Sequence, residues 1–432
     1  MTDKKINQSP SAGGVLVQVN LIGLIIFGVV LVTTAALVTH GLDKSRNPAG
    51  YGRMASKIHS QPGLDDNMNV VEHSNIPAWG QLVTRDIDLE EPDEYVTDDT
   101  TTEKAETWTF EGMTPDKVRM LMQSCGLPAV EIERALSPAS MVYANANTIV
   151  RPGDELVLSM SPGTRSKLYA ELGRYESNKY IHFPFCFPGN SFETHFDKSK
   201  ISDATFSLTR KMLYPRGNVQ CFSDLQTLLQ QVSDENERLE LVKALSHQSA
   251  LLVGIHVWPD SDIDKLVGYW AWPSSGVRLM NVRPLLESLK RRPAGGAASI
   301  LYFLPPFARE RLYTYPLPAQ LGDQTMDCHW SAMNFFNETP DNKFFDPKYT
   351  TAYVLKNYYR IAKPTAYGDL IFLLDKNGDA IHSAVYLADD IVFTKNGNNS
   401  AQPWMLMHLK DLLAEYTTDV APKIAVYRNR NW

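Results

Sequence analysis

The sequence predicts an α+β protein in which a mixed helix and strand body precedes a C-terminal domain built on an antiparallel strand meander. Three observations carry that prediction. Strand-length apolar runs alternate with Gly/Asn/Asp turns between Tyr367 and Thr394. Apolar residues behind Cys328, at Ala332, Met333, Phe335 and Phe336, fit one face of a helix. Near the N-terminus, Val15 to Thr39 carries no charged residue. At 432 residues the chain has room for two or three domains, and its 44% hydrophobic and 21% charged content is that of globular material. A net charge of −7 gives no basic footprint and excludes nucleic acid as an expected partner.

Residues 1–14 form an N-terminal tail, and 15–39 a transmembrane anchor, because ~20 apolar residues span a bilayer core. Gln18 and Asn20 fall in its first turns, at interface depth. A secretory signal has a shorter apolar core of ~7–15 residues and a small-residue cleavage site, which Ala-Leu-Val-Thr-His-Gly does not supply. A buried soluble helix is the bland alternative, and the uncharged length argues against it. Lys4 and Lys5 precede the segment, whereas Lys44, Arg46, Arg53 and Lys57 follow it. That bias keeps the C-terminal side in the cytoplasm, although long domains translocate despite it.

Residues 40–107 read as an acidic flexible linker. Asp86 to Asp99 holds eight acidic residues without apolar periodicity, and such runs self-repel and extend. The glycine and ligand spacing of a calcium loop are absent there. Residues 108–160 form a small helical subdomain. Thr114-Pro115-Asp116 starts a helix, Pro128 to Leu136 is a second, and Val150 to Leu158 is a turn into a strand. The Pro-Gly-Asp-x-Leu turn at 152–156 resembles that of the glycan-binding LysM module. Residues 164–305 read as an α/β domain of unknown type. Leu225 to Leu245 is helical, Ala250 to Val257 a buried strand, Asp262 to Trp270 a helix and Ile300 to Leu304 a strand.

His182, His195, His247 and His256 lack metal-ligand spacing, and no metal or cofactor is expected. Cys125, Cys186, Cys221 and Cys328 show no paired spacing, so neither zinc nor a disulfide framework is indicated. The first three read as buried free thiols.

Residues 306–432 carry the chemistry. After Cys328 and its helix come a polar connection, a second helix over Ala352 to Ala362, and a buried strand entered from Tyr367-Gly368-Asp369. Lys376-Asn377-Gly378-Asp379 signals a hairpin into a strand Ile381 to Leu387, and Asp389-Asp390 turns into Ile391 to Thr394. A cysteine at a helix start gains thiolate character from the helix's partial positive charge. A histidine at a strand start, His382, takes the thiol proton and returns it to a leaving amine.

In order and spacing, Tyr315, Asp327-Cys328, Gly368-Asp369-Leu370 and His382 with Tyr386-Leu387 resemble the NlpC-type cell-wall cysteine peptidases of the papain-like superfamily. The resemblance implies a papain-like NlpC-type catalytic domain that cuts peptidoglycan stem peptides or cross-bridges through a thioester acyl-enzyme. It makes Cys328 the nucleophile, His382 the base, and Tyr315 an oxyanion or substrate-positioning residue. Ungapped counting puts the third polar residue at Thr394, while Asn396, on the same strand face, offers the better ring-orienting carbonyl. His329 and Trp330 stand where the family has small residues. Peptidoglycan or another peptide substrate, and a membrane through residues 15–39, are the implied partners. The catalytic domain is then on the periplasmic or extracellular side of a single-pass membrane protein. The alternatives are an inactive papain-like scaffold or binding protein, and an acyltransferase or amidase on a non-wall substrate.

Overall fold

The computed structural model describes residues 68–71, 76–96, 100, 105–188, 191–196, 200–217, 219–271, 276–316, 326–397, 402–417 and 420–432. The chain divides into two compact units, Met1–Ser60 and Gln61–Trp432. The expected anchor at 15–39 lies outside the described residues. Among the described residues no helix is long and apolar enough to cross a membrane.

The second unit is α+β, with antiparallel pairing throughout its described sheets. Side-chain packing divides it near residue 246, not at the expected boundaries of 164 and 305. One core gathers Val96, Trp108 and Phe110 with residues as far as Leu245. The other two cores join Leu82 and the strand Gln248–Val257 to the C-terminal elements.

Part of the expected linker is sheet. Gln81–Leu89 is a strand that pairs along its whole length with Gln248–Val257. Leu82, Val83 and Thr84 are buried, while Asp86 and Asp88 stand on the solvent side. Carboxylates on the exposed half of a period-two strand therefore pass for a charge run. The LysM-like expectation meets a similar correction. The two helices form as Pro115–Ser124 and Ala129–Ala135, and Trp108–Phe110 pairs with Asn147–Val150. The segment after Pro152-Gly153, however, is the helix Asp154–Ser159 and not a strand. The expected strand at Ile300 is a 3-10 turn, Ile300–Phe303, because the strand ends one residue earlier at Ser299, whose side chain caps it. The long helix read over 225–245 is two, Leu225–Gln230 and Glu235–Ser246, the second capped by Asp234.

The six-stranded sheet that holds the candidate site runs, edge to edge, Tyr358–Ile361, Lys423–Asn429, Leu370–Leu374, Ala380–Ala388, Ile391–Lys395, Trp404–His408. Strand alternation gives it two apolar faces. Leu370, Phe372, Val385, Leu387, Ile391 and Phe393 pack with Trp330, Ala332 and Phe335 of the Cys328 helix. Ile371, Leu373, Ala384, Tyr386, Val392 and Met407 pack with Leu412 of the helix Leu409–Tyr416. The second helix of this half is Pro347–Asn357, started by the Asp346 cap and Pro347. It ends before the predicted Ala362 because Tyr358–Ile361 becomes an edge strand paired to Lys423–Asn429. In the hairpin, Asp375 accepts the backbone N–H groups of Asn377 and Asp379 at 2.8 and 2.9 Å.

Candidate active site

Cys328 is the first residue of the helix Cys328–Asn334. Asp327 fixes that start, its Oδ1 accepting the Trp330 N–H at 2.7 Å. Ser331 Oγ donates to Asp327 O at 2.7 Å and accepts from Trp404 Nε1 at 2.8 Å, which ties the first turn to the sheet's edge strand. Ser383 Oγ donates to Cys328 O at 3.2 Å, so the cysteine's carbonyl is held by the neighbour of His382.

The side chains of His329 and Trp330 have partners of their own. His329 Nδ1 bonds Ser383 Oγ at 3.1 Å and its ring lies parallel to Phe372. Burial lowers its pKa, opposed by the charge of Asp327. Trp330 stacks on Phe345 and its Nε1 donates to Asn342 Oδ1 at 3.3 Å.

His382 is fully buried. Its Nε2 is 2.8 Å from Thr394 Oγ1, and Thr394 Oγ1 donates its only proton to Asn396 Oδ1 at 3.2 Å. The threonine must then accept from the ring, so Nε2 carries the hydrogen. Nδ1 is left as the basic nitrogen, buried and without a hydrogen-bond partner. Asn396 Nδ2 reaches Glu415 Oε2 and Met407 Sδ. Of the two residues open for the third position, Thr394 touches the ring, while Asn396 holds Thr394. The register explains this: Val385 faces Phe393, which places Thr394 diagonal to His382 on the same sheet face.

The same alternation separates the candidate pair. His382 shares its face with Thr394 and Asn396, whereas Ser383 looks toward the Cys328 helix. No hydrogen bond joins Cys328 Sγ to His382. Tyr416 stands by both groups: its ring centroid is 4.4 Å from that of His382, and the Cys328 and Glu415 charges add to burial in raising its pKa. Lys395 is buried too, its pKa pushed down to about 8 by burial and partly restored by Cys328 and Asp327. Cys328 is 5% exposed.

Tyr315 is elsewhere. Its hydroxyl donates to Leu89 O at 2.9 Å and its ring meets Tyr95 edge-on, contacts that spend its one proton on the strand Gln81–Leu89. Asp369 of the Gly-Asp-Leu motif is a staple: it accepts the Thr365 and Ala366 N–H groups and a two-pronged contact from Arg428. Gly368 beside it, at φ 93°, leaves no room for a Cβ, which would lie 2.5 Å from the Phe336 ring.

A cleft of about 1570 Å³ opens beside this site, lined by Asn396, Gly397, Glu415 and Tyr416 on one wall and by Tyr180, Phe183 and Cys186 on the other. Sequence reasoning missed Ser383, Glu415 and Tyr416. Ser383 follows His382 directly, which in a strand means the opposite face; the other two sit on a helix that no motif marks. No group of His, Cys, Asp or Glu among the described residues is arranged to hold a metal ion. Comparison with protein families, with curated proteins and with solved structures finds no match.

Proposed function

We propose that the chain is a thiol hydrolase of the NlpC type, anchored through residues 15–39, that cuts peptide amide bonds in peptidoglycan. The observation that carries the reading is the tautomer of His382: Thr394 and Asn396 fix the hydrogen on Nε2, leaving Nδ1 free as a base. In this reading Nδ1 takes the Cys328 proton and the thiolate attacks the scissile carbonyl. The backbone N–H and partial positive charge at the helix start support the oxyanion. The imidazolium then protonates the leaving amine, and water, deprotonated by the same nitrogen, hydrolyses the thioester. The wall substrate places this domain on the envelope side of the membrane.

A specific observation favours a second reading, a closed papain-like scaffold. Cys328 and His382 are buried, the Tyr416 ring lies against the imidazole, and no hydrogen bond joins sulfur to ring. An acyltransferase or amidase on a non-wall substrate uses the same residues and differs only in what is consumed.

The deciding experiment incubates the protein with purified peptidoglycan and identifies released fragments by mass. Cys328→Ala should reduce release by about a hundredfold or more, as expected on loss of a nucleophile. Wild-type release that survives this substitution rejects the assignment. No release, combined with an iodoacetamide rate at Cys328 no faster at mildly acidic pH than at the other thiols, supports the scaffold.

A further inference from the structure

Two of the four cysteines face each other across a sheet other than the one that carries His382. The strands Phe185–Pro188 and Val219–Phe222 are antiparallel, with Cys186 directly opposite Cys221 in the register. Their sulfurs are 3.3 Å apart, both as free thiols. Directly opposed residues in an antiparallel pair have Cβ atoms ~4.5–5.5 Å apart, next to the ~3.5–4.5 Å a disulfide needs. Only a small inward rotation of the two side chains separates this pair from a bond. Nothing in the spacing announces it, since the cysteines are 35 positions apart and meet through strand pairing.

The pair is reachable through Cys186, which is half-buried, while Cys221 lies fully buried behind it. Both residues line the cleft of about 1570 Å³, which admits a molecule of tripeptide size, whereas Cys125 and Cys328 do not line it. Either thiol can donate to the other, and the contact with Cys186 lowers the Cys221 pKa against the opposing effect of burial, with the Arg216 charge helping. One thiolate stabilised by its neighbour's S–H is what starts thiol–disulfide exchange.

We propose that Cys186 and Cys221 are a redox couple that closes to a cross-strand disulfide on the wall of the cleft, with a small-molecule disulfide as oxidant. One protein thiolate attacks a sulfur of the oxidant and expels one thiolate, giving a mixed disulfide. The opposite cysteine then attacks the protein sulfur and expels the second. The two thiol protons leave with the two reduced thiols: the protein loses two hydrogens and two electrons, and the oxidant gains them. The bond closes the loop between positions 186 and 221, which carries the helices Phe192–His195 and Asp203–Lys211. The couple does not depend on the reaction proposed for Cys328.

The test exposes the reduced full-length protein to oxidised glutathione at pH 8, caps the remaining thiols with N-ethylmaleimide, and digests it without reductant. The expected result is one linked peptide pair holding Cys186 and Cys221. The intact mass falls by roughly 2 Da, and the melting temperature rises by about 5 °C or more. Cys221→Ser should instead trap a stable glutathione adduct on Cys186. Persistence of four free thiols, a lasting adduct on the wild-type pair, or a bridge to Cys125 or Cys328 overturns the proposal. So does the absence of an adduct on Cys186 in Cys221→Ser.

Discussion

Two polar clusters sit in the two halves of this unit, the first fully buried and the second running from the buried His382 out to the half-buried Glu415, and they are finished differently. In the first half Arg165 contacts Asp224 at 2.8 Å, an ion contact too bent for a hydrogen bond, and Tyr169 donates to the other carboxylate oxygen. The guanidinium also donates to Val157 O at 2.6 Å and Met160 O at 3.3 Å. Its charge is met, and its carbonyl partners belong to the turn that ends Asp154–Ser159. In the second half His382, Thr394, Asn396 and Glu415 form a chain in which each hydrogen is directed, yet the first member keeps a bare nitrogen. Burial of polar groups is common to both. What distinguishes the second is an acceptor left open at the end of an ordered relay, beside a helix-start cysteine.

The comparison breaks first at Arg165. Replacing it by Met strands the Asp224 carboxylate, and losing one partner of a buried pair costs about 3–5 kcal/mol. The urea midpoint should fall accordingly, while the alkylation profile of Cys328 in the folded fraction stays unchanged. A shift in that profile would mean the two halves are coupled. His382→Ala should lower the midpoint too, since it empties a fully buried site and removes a buried hydrogen bond, and should reduce hydrolysis by about a hundredfold and move Cys328 alkylation to higher pH, because the thiolate loses its imidazolium partner. An unmoved profile separates His382 from Cys328 altogether. Thr394→Val is the finer instrument. It leaves the Nε2–H buried without an acceptor, worth ~1–3 kcal/mol, and frees the tautomer, so activity should drop by about tenfold with Cys328 still alkylated. Asn396→Ala, one bond further away, should cost less than Thr394→Val. The reverse order would restore Asn396 as the direct partner.

Much of the second half was legible because local chemistry decides it. Asp327 caps the Cys328 helix, Asp262 caps Ile263–Trp270, and the Lys376 to Asp379 turn sets the hairpin register. What escaped depends on partners distant in sequence. The acidic strand Gln81–Leu89 exists because Gln248–Val257 supplies its hydrogen bonds. The helix Pro347–Asn357 stops where it does because Lys423–Asn429 claims the next residues. At the site, alternation correctly put Thr394 and Asn396 on one face. Choosing between them required the diagonal offset of two strands, which a sequence does not carry. The hydrogen bond of Tyr315 was illegible for the same reason: its partner, Leu89, lies 226 positions away.

The last effect is the most specific to the relay's far end. Glu415 is half-buried on the cleft wall near Cys186 and Asp411, and burial first, then those two neighbours, raises its pKa to about 8 from 4.5. The folded protein therefore holds a proton there that the unfolded chain releases near pH 4.5. Because the native state binds more protons in that interval, stability falls as pH rises from about 4.5 to about 8, by at most ~1.4 kcal/mol per pH unit from this group. The contribution is whole below 4.5 and gone above 8. Glu415→Gln keeps the neutral shape and an oxygen for Asn396 Nδ2, so urea midpoints measured across that window should slope less in the variant than in wild type. Equal slopes would place the ionised form in the folded state. Asn396 would then face a charge, and the orientation of Thr394 toward His382 would rest on a carboxylate. The two outcomes also predict different activity profiles: with a neutral Glu415 the variant keeps wild-type turnover near pH 7, and with a charged one it does not.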